Sequence, residues 1–178
     1  PPLLLPVSCL ATANSLEILS FTRDSDVPLN YTGSTVSQNQ AVCHEIQLLS
    51  VSLPNLPLDT AIGGLIAFYP FVYVELSNVT APSASGPGQL YSNNPNANRA
   101  LFRCAITQIS SPEIASFVKI TGNGAVQTIK FKPNDNLRFR VFFSDGKTFQ
   151  NETKDTAPPL EPNPFVQVSA QFSIRRVV

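Results

Sequence analysis

Apolar and polar positions alternate with a period of two along much of this 178-residue chain. The clearest run is 166–175, where Val166, Val168, Ala170, Phe172 and Ile174 alternate with Gln167, Ser169, Gln171, Ser173 and Arg175. Successive side chains of a strand point to opposite faces, so this run predicts a half-buried antiparallel strand. Leu137, Phe139, Val141 and Phe143, set against Arg138 and Arg140, predict a second. Gln127, Ile129 and Phe131, set against Thr128, Lys130 and Lys132, predict a third, joined to the second by turn residues 133–136. Asp145-Gly146 predicts a two-residue type I′ hairpin with a return strand over 147–150, because such a turn needs positive φ. Gly122-Asn123-Gly124 predicts another hairpin, between 114–120 and 125–132.

Residues 66–76 form a candidate strand that is apolar on both faces, with Pro70 marking a bulge or an edge. A neighbouring segment or the N-terminal arm would cover its second face. Further strands are expected at 43–53, with mixed parity, and at 15–21 and 100–109. The best helical candidate, 111–118, suits a single turn. Long polar connections fill 23–39, 80–98 and 154–164. About eight strands and no convincing helix predict an all-β chain, an antiparallel β-sandwich built as a single jelly roll. An immunoglobulin-like sandwich is the rival, and the missing Trp counts against it. Residues 1–12 read as an extended apolar arm and 13–178 as one domain. No apolar run approaches the roughly 20 residues of a membrane-spanning helix.

Composition sharpens this picture. Charged residues are 13% of the chain and hydrophobic ones 43%, which favours a packed globule. Twelve basic residues balance twelve acidic ones, so nothing favours binding to a phosphate backbone. The balance is uneven along the chain. Residues 1–98 carry one basic and six acidic residues, while 99–178 carry eleven and six. Opposed surface patches are one reading. The plainer one is that interleaved strands cancel the split in space.

Candidate chemistry is sparse. The single histidine, His44, follows Cys43 on a strand, where neighbours face opposite ways, so the two do not form a nucleophile pair. Cys9, Cys43 and Cys104 lack zinc-ligand spacing and read as reduced thiols. Asp24 and Asp26 share a loop, a weak Ca²⁺ signal. No catalytic residue, metal site or cofactor is expected. Three glycosylation sequons start at Asn30, Asn78 and Asn151. Lys130, Lys132, Arg138 and Arg140 fall on two strands expected to be neighbours and would form a basic stripe, either a solvated face or a protein contact.

Five stretches carry a family resemblance: 53–58 (LPNLPL), 66–79 (IAFYPFVYVELSNV), 91–96 (YSNNPN), 126–135 (VQTIKFKPND) and 137–146 (LRFRVFFSDG). Together they resemble minor capsid proteins of large icosahedral double-stranded DNA viruses of eukaryotes, the phycodnaviruses, mimivirus-like viruses and their relatives. Phe143-Ser144 stands where that pattern has Leu-Pro before Asp-Gly. The resemblance implies a jelly-roll virion component, resident in a capsid assembled inside the host cell. It would bind the major capsid protein and further minor capsid proteins, beneath the lattice or at a vertex, and could associate with itself. It implies no active site, nucleic-acid specificity or membrane span. Leu3, Leu4 and Leu5 of the arm would then enter a partner's groove, or else pack on their own domain. The competing function is a carbohydrate-binding or adhesion ectodomain, which would carry glycans on the sequons.

Overall fold

A computed structural model describes residues 14–21, 27–30, 42–78, 90–107, 109–131, 136–156, 159–161 and 163–177. Among the described residues nine strands form two antiparallel sheets. They are β1 (Asn14–Phe21), β2 (Val27–Asn30), β3 (Val42–Pro54), β4 (Phe71–Asn78), β5 (Phe102–Ala105), β6 (Phe117–Thr121), β7 (Val126–Phe131), β8 (Asn136–Phe142) and β9 (Gln167–Arg176). One sheet runs β1-β9-β3-β6, with β7 also on β3; the other runs β2-β8-β4-β5. First pairs with last, second with next to last, and so inward to β4 and β5. This nested order, split over two sheets, is a jelly-roll sandwich.

β6 and β7 occupy one lane. β6 pairs with Ser50–Pro54 of β3 and β7 with Val42–Gln47, so the two follow each other along a single edge. Gly122-Asn123-Gly124 is therefore a kink within a lane, and the hairpin expected there is not formed. The physical reason lies in β3. Its register against β9 shifts between Leu48 and Ser50, a bulge that throws Leu49 outward. The kink answers it: Gly122 N–H donates to Leu49 O at 3.0 Å. A Cβ on Gly122 would lie 1.7 Å from the Leu48 carbonyl oxygen, so only glycine fits. The bulge also explains the mixed parity of this strand.

Other expectations shift by a few residues. Ile66–Phe68 is a 3₁₀ turn, and β4 begins only after Pro70. Residues 111–118 hold a turn closed by Ile114 N–H to Ser111 O and then enter β6. β2 was not expected. It is a four-residue edge strand, and its Pro28 has no N–H to give. After β8 the chain turns with Gly146 N–H on Phe143 O and Phe143 N–H on Lys147 O. Gly146 has φ +84°, so the loop is the three-residue kind with glycine in the left-handed position, not a two-residue I′ turn. The return strand reduces to one bridge, Phe142 to Thr148.

The core between the sheets is built by the alternating positions. Phe172 and Ile174 of β9, Ile46 and Leu48 of β3, Val72 and Val74 of β4, and Phe139 and Val141 of β8 are all buried. Phe172 meets Phe139 edge to face at 6.2 Å and Phe102 at 6.3 Å. The opposite face of β4 is buried as well. Phe71 and Tyr73 pack with Phe142 of β8 and with Leu90, Ala97 and Ala100 from the segment before β5. That segment is the cover that the doubly apolar strand required. It is tied down by Leu101 N–H to Val74 O at 2.9 Å and Leu90 N–H to Ala100 O at 3.0 Å.

Candidate interaction surface

The strand directions fix which loops meet. β3 ends at Pro54 opposite Phe117, the start of β6, and β9 begins near Ser52. β4 starts opposite the end of β5 and near the end of β8. Connections 55–70, 106–116 and 143–166 therefore converge at one end of the sandwich.

Hydrogen bonds lock these loops together. Asn55, buried, donates from Nδ2 to Pro112 O at 2.6 Å and Ala115 O at 3.0 Å, while its Oδ1 accepts from Ala67 N–H at 3.2 Å. One side chain thus joins the first loop to the second. The third joins the first through Asp59 N–H to Gln150 O and Glu152 N–H to Pro57 O, each 2.9 Å. Tyr69 lies against Phe143, ring centroids 4.6 Å apart. Within the third loop Asp155 Oδ1 accepts from the N–H groups of Thr156 and Asn163, both at 2.7 Å. The Thr156 hydroxyl donates to Glu161 O. These bonds tie Asp155 and Thr156 to Glu161 and Asn163, on either side of the exposed Leu160.

On this ordered base stand five exposed large apolar side chains: Ile62, Phe68, Ile114, Leu160 and Phe165. Ile62 is 85% and Ile114 83% exposed, so neither has been used by the fold. A depression of about 350 Å³ within the first loop is lined by Ile62, Leu65, Phe68, Tyr69 and Pro70.

The sequence-predicted residues lie elsewhere. Leu3, Leu4, Leu5 and Lys132 fall outside the described residues, as does the side chain of Arg138. Lys130 is exposed on β7 and Arg140 is on β8, and these strands belong to different sheets. The basic stripe is therefore not formed: β7 pairs with β3, and β8 with β2 and β4. Arg140 is instead engaged on the outer face of the four-stranded sheet, opposite Glu75 of β4. Its Nε is 3.4 Å from Glu75 Oε2, and its guanidinium lies 4.4 Å from the Phe142 ring centroid. Arg99 Nε reaches Glu75 Oε1 at 3.1 Å. Glu75 is fully buried, so its charge is held between two arginines that reach the surface.

The charge split resolves in the same way. The pairs Glu75–Arg99, Glu75–Arg140, Glu45–Arg175 and Asp59–Lys154 each join an acid from residues 1–98 to a base from 99–178. Cys43 is half-buried and Cys104 buried, both free thiols. Burial pushes the Cys104 thiol up to about 12, against a smaller opposing pull from Arg103. Among the described residues no group of three or more His, Cys, Asp or Glu is placed to hold a metal ion. Asn151 is fully buried, which closes that sequon to a glycan in the folded chain.

Two curated proteins are similar to this chain. Uncharacterized protein 198R of Invertebrate iridescent virus 6 is 34% identical over 166 residues, 92% of this chain and 33% of the relative. Uncharacterized protein 069L of Invertebrate iridescent virus 3 is 29% identical over 162 residues, 91% of this chain and 37% of the relative. The similarity supports a viral origin. The chain spans about a third of the length of the curated relatives it matches. No protein-family profile matches it.

Sequence reasoning missed the loop-end residues. Leu160 is a lone apolar residue in a polar connection, Ile114 falls in the short helical candidate, and Ile62 precedes a run that reads as buried strand. Their one legible signal was that alternate connections of a sandwich emerge at the same end.

Proposed function

We propose that the chain is a structural virion component, a jelly-roll minor capsid protein that docks on neighbouring capsid proteins beneath the major lattice or at a vertex. The observation that carries this reading is the loop end, with five large apolar side chains exposed on three loops bonded to one another. Single exposed apolar residues are ordinary, whereas a group of them on a pre-ordered base suits a protein contact, because little entropy remains to be lost on binding. The nested strand order and the similarity to iridescent virus proteins support it. The partners are then the major capsid protein and further minor capsid proteins, and the setting is the capsid, assembled inside the host cell. The reading calls for no catalytic residue and no cofactor.

The test is mass spectrometry of purified virions after washing with detergent and protease. Peptides of this chain, retained at a fixed ratio to the major capsid protein, are the expected result. Their absence from virions would sink the reading.

A further inference from the structure

The two ends of the sandwich differ in charge as well as in apolar exposure. Asp59, Glu113, Asp145, Glu152, Asp155 and Glu161 all stand in the three converging loops. Only Lys147 and Lys154 oppose them there among the described residues, and Lys154 is already committed to Asp59 at 3.4 Å. Among the described residues the far end of the five-stranded sheet is basic. Lys130 near the end of β7 and Arg175 and Arg176 at the end of β9 are exposed, and Arg175 is already committed to Glu45, the neighbouring acid. Val177 adds an exposed apolar side chain beside them. A chain of zero net charge is thus polar along its strand axis.

The geometry points to a second copy of this chain as the occupant of the loop end: the acidic, apolar end of one copy receives the basic end of the next. This deepens the capsid reading by naming a partner, and rests on it for its biological setting alone. Complementary ends on one molecule make a heterologous contact, which propagates head to tail and closes into a ring only if the rotation allows. Opposed charges steer the encounter, and the apolar side chains supply the buried area.

The test is sedimentation equilibrium of the whole chain and of two variants altered only at exposed positions. One carries Glu113→Lys with Glu161→Lys, the other Lys130→Glu with Arg176→Glu. The wild-type chain is expected to exceed 19.3 kDa at low ionic strength. It should return to that mass at about 1 M salt, where charges are screened within about 3 Å. Each variant alone is expected at monomer mass with an unchanged thermal melt. An equimolar mixture of the two should regain mass, since each brings one intact end. A wild-type chain that stays monomeric at low ionic strength overturns the proposal, as do variants that fail to combine. Virion content is measured separately, so a chain found in capsids but monomeric in solution would overturn this inference and leave the capsid reading standing.

Discussion

Phe172 and Tyr73 are both nearly inaccessible to water, yet different kinds of structure bury them. Phe172 lies between the sheets, where each strand presents every second residue to the other layer. Tyr73 faces outward from the four-stranded sheet and is covered by the Leu90–Ala100 segment, which contributes small residues and a 3₁₀ turn over Pro95–Ala97. The first site is lined by apolar side chains. The second shares its face of β4 with Glu75 and two arginines. A sandwich can therefore hold a buried charge outside its core, where the arginines keep contact with solvent and lower the cost of burial.

Truncating the core tests the first region most severely. Phe172→Ala is expected to cost about 3–5 kcal/mol, because it removes a ring from a site flanked by Phe102 and Phe139 that cannot collapse. Urea denaturation measures it, and a loss under 1 kcal/mol would show a loosely packed interior. For the covered face, Glu75→Gln is expected to cost about 1–3 kcal/mol by leaving Arg140 short of its anion. Hydrogen exchange should speed up at the Leu90 and Leu101 amides while amides of β3 and β9 stay protected. Equal loosening of both regions would abolish the distinction.

Asn94→Ala is a milder probe of the cover. Asn94 accepts from Asn96 N–H at 3.0 Å and donates to Ser144 O at 2.8 Å, so its loss should cost about 1 kcal/mol in thermal denaturation. Lys154→Ala removes a pair with Asp59 whose members are both more than half exposed, together with a 3.3 Å bond from its ammonium to Asn151 O, and its effect should stay below about 1 kcal/mol and shrink in high salt. The smallest expected effect is on Cys104. With its thiol pushed up to about 12 from 9.0, it should resist iodoacetamide at pH 8 until the chain unfolds. The same shift favours the fold below pH 9, where both states keep the proton, and that contribution disappears as pH climbs from 9.0 towards 12.

The core was legible because its signal is local: the period-two runs of β7, β8 and β9 can be read without knowing the topology. The cover was half legible. Phe71 and Tyr73 announced a second buried face, but nothing in Leu90–Ala100 marks it as the lid, since two alanines and a leucine are common in any loop. Gly122-Asn123-Gly124 was misread for a physical reason. Turn residues mark any sharp change of backbone direction, and only the Leu48 carbonyl distinguishes a kink from a hairpin. The basic stripe failed on topology: consecutive strands β7 and β8 lie in opposite layers. The loop end needed the same knowledge.

The nested strand order also sets a timetable for synthesis. β9 lies between β1 and β3, so the larger sheet has a gap at its centre until residue 176 has left the ribosome. β4 and β5 can pair early, but β1 must wait for a partner about 150 residues downstream, a slow closure of high contact order. Until then β3 offers an open edge to any other strand nearby, and a nascent chain in this condition is a natural client for a chaperone.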